Sequence, residues 1–305
     1  MRHSAAFERA STACSTDHAP AEQCGGVSYQ WYVDAAEDYE RGRLPYPTEL
    51  ESMFEVAVGR GGRLLDVGCG PGTVGLRLAR MFEGLVGVDR DAGMVEHARS
   101  RAAELRLEAA RFIRASVEDL PADLGTFRVV VVAQAFHWFD GPRAAEAIHR
   151  LLEPGGHCVV VYAWSLRGDP APEVALPEPP HAAMDALGER LGGRQTGLPR
   201  TAPDDESGPM TAAGFDGPAA WQVPGGELIV SSPSDLIARW LSRSDTAEFR
   251  TGRRREEYVA AADQLLRSIS EAGFAERLRD ARFNVWTKTR DSAAGPVEAP
   301  RLGAR

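Results

Sequence analysis

Lysine is nearly absent from this chain of 305 residues: Lys288 is the one lysine among 35 basic residues, and 44 acids leave a net charge of -9. That balance argues against a nucleic-acid backbone as the main partner, because phosphate binding needs clustered positive charge. Long apolar runs are missing too: no stretch of about 18 apolar residues occurs, and the first residues lack the apolar core of a signal peptide. A soluble cytoplasmic protein with no membrane partner is expected. Cysteine is scarce, and Cys14, Cys24, Cys69 and Cys158 show no metal-ligand spacing, so no metal is expected and a reducing compartment fits. The length suits one large α/β domain with material left over for tails and an insertion.

What the chain does have is Asp66-Val67-Gly68-Cys69-Gly70-Pro71-Gly72, which follows the apolar run Arg63-Leu64-Leu65 and opens into the helical pattern Thr73 to Arg80. Alternate glycines leave no Cβ on the inside of the turn, so backbone N–H groups can approach a ligand. Gly70-Pro71-Gly72-Thr73-Val74-Gly75 also satisfies the dinucleotide pattern, with the acid Asp89 about 20 residues on. Read from these residues alone, the pocket suits either a nicotinamide dinucleotide or another nucleoside cofactor.

The acid two residues before the first glycine, followed by Gly68-x-Gly70-x-Gly72, resembles the first motif of class I methyltransferases dependent on S-adenosylmethionine (SAM). The resemblance runs from about Tyr29 to Thr289 and is strongest from Leu64 to Gly156. It implies SAM as cofactor, S-adenosylhomocysteine as product, and a cofactor cradle of Asp66, Gly68, Cys69, Gly70 and Gly72. Asp89, with Arg90 beside it, would take the ribose hydroxyls. Met94 would lie against adenine, and Tyr39 over the methionine end. Ala115-Ser116-Val117-Glu118-Asp119-Leu120-Pro121 resembles the third motif, usually Gly-Asp-Ala-Glu-Asp-Leu-Pro, so Ser116 stands where an aspartate normally accepts the adenine amino group, and the Val117 N–H keeps its adenine contact. Gln134-Ala135-Phe136-His137-Trp138-Phe139 resembles a small-molecule branch, methyltransferase type 11, that includes enzymes similar to trans-aconitate methyltransferase. Gln134 is then a cofactor residue, Trp138 and Phe139 line the substrate pocket, and His137 is the candidate general base. The implied reaction moves a methyl group from SAM to a small O-, N- or C-nucleophile, such as a carboxylate or a natural-product intermediate. A nicotinamide-dependent oxidoreductase and a SAM-binding protein without methyl transfer are the rival readings.

The expected fold is α/β, a doubly wound Rossmann-like sheet of seven strands, mostly parallel, with 281–289 antiparallel between the fifth and sixth. The β-branched run Phe127 to Ala133 reads as a strand buried on both faces. Thr48 is expected to cap a helix to Val58, Asp91 one to Leu107, and Ser232 one carrying Leu236 to Leu241. A helix from the glycine loop to Phe82 is also expected. Arg250, Arg253, Arg254 and Arg255 read as a solvated helix end. Residues 1–26 and 291–305 read as disordered tails around a domain at 27–290, and 165–217, rich in Pro and Gly, reads as a lid or binding insertion with one helix near His181 to Leu191.

Overall fold

A computed structural model describes residues 35–193 and 206–289. The expected tails, the aromatic stretch Tyr29 to Tyr32 and residues 194–205 of the insertion lie outside the described residues.

In chain order the elements are α1 (Ala36–Gly42), α2 (Leu50–Val58), β1 (Arg63–Val67), α3 (Gly75–Leu78), β2 (Gly84–Asp89), α4 (Ala92–Glu104), β3 (Ala110–Arg114), β4 (Phe127–Ala133), α5 (Gly141–Leu151) and β5 (Leu152–Tyr162). There follow α6 (His181–Arg190), α7 (Ser207–Ala212), β6 (Phe215–Val223), β7 (Leu228–Ser231), α8 (Pro233–Leu241), α9 (Gly252–Ile269), β8 (Phe274–Arg277) and β9 (Ala281–Lys288). Seven strands form one sheet in the order β3-β2-β1-β4-β5-β9-β6. β1 to β5 are parallel, and β9 runs antiparallel to both of its neighbours, as the resemblance implied.

The β4 run shows why the sheet is doubly wound. Val129 and Val131 enter a core with Leu50 and Phe54 of α2 and Val95 and Ala98 of α4, whereas Val130 and Val132 enter a second core with Ala144, Ile148 and Leu151 of α5. Successive strand side chains alternate faces, so a run apolar at every position needs helices on both sides. The chain moves outward from β1 through β2 to β3, then returns to β4 beside β1 and leaves the other way. The loops after β1 and β4 therefore diverge from a topological switch point, where open α/β sheets bind ligands.

Three local expectations fail for identifiable reasons. Thr48 caps nothing: α2 begins at Leu50 with Glu49 before it and no side-chain cap, while the Thr48 hydroxyl donates to the carboxylates of Glu49 and Glu227. The helix after the glycine loop stops at Leu78 and tightens into a 3-10 turn, Ala79–Met81, which brings the chain back to β2 within a few residues. The arginine run is not simply solvated: Arg250 is buried and donates to the Leu241 carbonyl at 2.8 Å, and Arg255 pairs with Asp38 of α1 at 2.6 Å. The caps at Asp91 and Ser232 are present, the latter as a full capping box.

The described parts of 165–217 are packed. Met184 and Leu187 of α6 are buried with Leu236, Trp240, Tyr258 and Phe274 in a third core between α6, α8, α9 and β8. β8, a strand not expected from the sequence, pairs with β7 in a separate two-stranded sheet. Its Glu276 is almost fully buried and forms an ion pair with Arg239 of α8, also buried. Arg239 further donates to the Gly42 carbonyl at 2.9 Å and to Ser231 Oγ at 3.0 Å, and Glu276 accepts from the Gly168 N–H at 2.5 Å. One buried pair thus joins α1, the start of the insertion, β7, α8 and β8. Removing one partner of such a pair strands the other charge, at a cost of about 3–5 kcal/mol. Arg239→Ala is expected to lose roughly that much stability in urea unfolding, and the double change Arg239→Met, Glu276→Leu to lose clearly less. Equal losses would mean that packing, not charge, holds this junction.

Candidate functional site

At the C-terminal end of β1 the backbone turns left-handed at Gly68 (φ +67°) and Gly70 (φ +53°). The two glycines serve different needs. A Cβ on Gly68 would lie 2.6 Å from Ala135 Cβ and 3.1 Å from Phe139 Cζ, so this glycine lets the loops after β1 and β4 touch. A Cβ on Gly70 would meet nothing within 4 Å. Gly70 faces open space, and a ligand can approach its backbone there. Gly72 lies against Leu76 of α3, and Cys69 is buried with its Sγ toward Gly87 of β2. Burial pushes the Cys69 thiol well above its ordinary range, which leaves it without thiolate character.

Two carboxylates flank this loop. Asp66, 1% exposed, accepts the Gly75 N–H on Oδ2 at 2.9 Å, while its Oδ1 is buried with no partner among the described residues. Burial raises its carboxyl to about 7, against the lowering effect of the Gly75 bond, and the charge of Asp89 adds to the rise. Asp89 ends β2 and accepts the Gly70 N–H on Oδ2 and the Asp91 N–H on Oδ1, both at 2.9 Å. Burial raises its carboxyl as well, opposed by those two bonds. The Asp91 side chain accepts the Met94 N–H at 3.0 Å, which sets the start of α4 and leaves Met94 buried outside both sheet cores. Arg90 is exposed, and its carbonyl accepts from Arg114 at 3.0 Å.

The loop after β3 is tied to this edge by the Ala115 N–H, which donates to the Asp89 carbonyl at 3.0 Å. Ser116 is half-buried and its hydroxyl donates to the Glu118 carboxylate, whose other oxygen accepts the Asp140 N–H at 2.9 Å. Val117 is buried in the second core. After β4, Gln134 takes a positive φ of 54°, donates its backbone N–H to Val161 at 3.0 Å and its side-chain amide to the Ala163 carbonyl. His137 and Trp138 share a 3-10 turn, both half-buried, with ring centroids 5.0 Å apart. Phe139 packs on Phe136 at 6.1 Å and on Gly68.

Tyr39 lies in α1, with the Arg43 guanidinium 4.6 Å above its ring. α1 is held over α4 by Glu40, which pairs with Arg101 at 2.5 Å and with His97. Sequence reasoning missed three residues that shape this region. Burial of Tyr46 raises its phenol, and the nearby Tyr39 and Asp66 add to the rise. Arg43 donates to Ser165 and Ser242, at 3.0 and 2.9 Å, and so joins α1 to the insertion and α8. Glu118 lay inside the motif read for Ser116, and its spacing of two residues was the available signal.

The site therefore combines an acid-ended β1, a glycine loop open at Gly70 and a carboxylate closing β2, all at the switch point of a seven-stranded sheet whose β9 is antiparallel. That combination defines a class I methyltransferase fold. Residues 64–156 match the methyltransferase domain family. An uncharacterized methyltransferase of Mycobacterium tuberculosis is 33% identical over 159 residues, covering 46% of this chain and 62% of the relative. The malonyl-[acyl-carrier protein] O-methyltransferase of Enterobacter lignolyticus is 30% identical over 152 residues, 48% of this chain and 57% of the relative. A ubiquinone biosynthesis O-methyltransferase of Alkalilimnicola ehrlichii is 35% identical over 116 residues, 37% of this chain and 47% of the relative. The chain thus spans about half to three fifths of the length of these curated relatives.

The Asp66 environment makes a prediction for the ligand-free protein. Its carboxyl holds a proton up to about pH 7 when folded but releases it near 3.8 when unfolded, so between these values the folded state binds more protons. Stability then falls as pH rises from about 4 to about 7 and levels off above, with up to about 4 kcal/mol at stake. Asp66→Asn should flatten this part of the stability profile in urea titrations at several pH values. Identical slopes in the two proteins would show that Asp66 titrates normally.

Proposed function

We propose that this protein transfers a methyl group from S-adenosylmethionine to a small-molecule acceptor. The observation that carries the reading is the loop at Gly70, whose open backbone is held by the Asp89 carboxylate and which follows Asp66, a buried carboxylate with one oxygen unpartnered among the described residues. An uncompensated buried acceptor is costly and suits a cationic amine, which the amino-acid end of SAM carries. Each Asp89 oxygen holds one N–H and keeps acceptor capacity for a ribose hydroxyl. Met94, Ser116 and the Val117 backbone would border the base, and Tyr39 the methionine end. The same features oppose a nicotinamide dinucleotide. A pyrophosphate needs free N–H groups at a helix start, whereas α3 spans four residues and its Gly75 N–H is already taken by the Asp66 carboxylate.

SAM, when bound, supplies an electrophilic methyl on a positively charged sulfur. What remains for the chain is to align the acceptor, exclude water and take a proton where the acceptor carries one. His137, on the turn after β4, is the proposed proton acceptor, with Trp138 beside it as wall. The substrate is proposed to be a small molecule rather than a nucleic acid, in keeping with the net charge of -9. No helix among the described residues is long and apolar enough to cross a membrane. Two relatives are named as O-methyltransferases, so oxygen nucleophiles, carboxylic acids and phenols, come first in an acceptor screen.

A thermal-shift panel tests the cofactor. SAM and S-adenosylhomocysteine at about 100 times Kd should stabilise the protein by about 2.7 kcal/mol, and NAD should not. Asp89→Ala and Gly70→Val should each abolish that stabilisation, the second by filling the open space with a side chain. A shift with NAD alone would reverse the assignment. With an acceptor in hand, His137→Ala should lower turnover by roughly 10²- to 10⁴-fold with cofactor affinity kept. Wild-type turnover in His137→Phe would remove the base and leave alignment alone to carry the reaction.

A further inference from the structure

The third-motif loop departs from the usual pattern at Ser116 but keeps its glutamate at Glu118, and the structure shows how the two side chains are joined. A serine hydroxyl has one hydrogen to give and two lone pairs to receive with. Here the hydrogen is committed: Ser116 Oγ donates to Glu118. The Glu118 carboxylate is itself fixed, because its second oxygen accepts the N–H of Asp140, the residue that caps α5. Glu118 therefore bridges the loop after β3 to the loop after β4. With its hydrogen turned toward Glu118, the Ser116 oxygen is left as an acceptor only, and the carboxylate behind it increases its electron density through a charge-assisted bond.

The place of this pair sets what it would meet. Ala115 donates to the carbonyl of Asp89, so Ser116 stands next to the proposed ribose site on the neighbouring strand. Adjacent strands are about 4.8 Å apart, so a base attached to a ribose at Asp89 and lying over the end of β3 would come within reach of Ser116. An acceptor-only oxygen at its edge favours an exocyclic amino group and disfavours a carbonyl.

We propose that Glu118 is a positioning residue that sets the hydrogen-bond polarity of Ser116, and that the two together select an amino-bearing purine over its deaminated, 6-oxo form. The proposal rests on the SAM reading above. It gives Glu118 a role in cofactor discrimination that its side chain exerts without touching the cofactor.

Calorimetric titration with S-adenosylhomocysteine and with S-inosylhomocysteine, its 6-oxo analogue, tests it. The wild type should prefer the amino form. Ser116→Ala should weaken S-adenosylhomocysteine by about five- to tenfold, the worth of one hydrogen bond. Glu118→Gln keeps an oxygen for the Asp140 N–H but can also donate to Ser116, which releases the serine hydrogen toward the base. It should shrink the preference by a similar factor, and the double variant should lose no more than Ser116→Ala alone. A merely structural Glu118 would weaken both ligands alike. An unchanged preference in a Glu118→Gln protein that still binds S-adenosylhomocysteine overturns the proposal and leaves the SAM reading intact. Failure of the wild type to bind S-adenosylhomocysteine at all overturns the SAM reading, and the proposal with it. Should Glu118→Gln not fold, Ser116→Ala decides by itself: equal losses for the two ligands count against selection.

Discussion

The Asp89 carboxylate is the constraint on which the rest of the site depends. One oxygen holds the Gly70 N–H and the other the Asp91 N–H, so a single side chain fixes the glycine loop, the end of β2 and the start of α4. Backbone N–H groups lost to water on folding need such partners, and here the partner is the carboxylate proposed to receive a ligand's hydroxyls. The loop cannot relax into the crevice while Asp89 holds it. Gly68 completes the arrangement from the other side, since only a residue without a Cβ lets Ala135 and Phe139 come this near.

Much of this was legible in the sequence because it is written locally. The acid, the alternating glycines, the apolar run of β4 and the Asp91 and Ser232 caps each sit within a few residues of what they determine. The sheet order and the antiparallel β9 came from the resemblance and match the structure. Thr48 shows the limit of local reading: a residue suited to capping was drawn away by Glu227, 179 positions along the chain. β8 was missed for the same kind of reason. A strand with a buried glutamate breaks the expected alternation, and Arg239, 37 residues away, together with the Gly168 N–H makes that burial tolerable. Ser116 was legible as a departure from the motif, but its bond to Glu118 was not, because the motif says nothing of where that hydroxyl turns.

The insertion illustrates a related point about composition. Pro and Gly over 165–217 signal loop, but α6 buries Met184 and Leu187 against α8 and α9, and the Gly168 N–H is fastened to Glu276. The same buried pair holds the end of α1 through the Gly42 carbonyl. α1 carries Tyr39, so the helix proposed to cover the cofactor and the segment that starts the insertion hang from one junction. Arg43 adds a second tie among α1, Ser165 and α8. The C-terminal layer is therefore tied directly to α1.

Stability and function pull apart most clearly at Asp66. Burial raises its carboxyl to about 7, and one of its oxygens has no partner among the described residues. Nothing in folding requires this, since an amide at the same position could accept the Gly75 bond. A cationic amine beside Oδ1 would favour the ionised form, so cofactor binding below about pH 7 would expel a proton from Asp66, and affinity would rise with pH through that range. Relief of this buried acid would then contribute to binding. On the proposed reading, a ligand with a hydrogen-bonding ammonium group would relieve the buried acid, and SAM carries such a group at its amino-acid end whereas a nicotinamide dinucleotide does not.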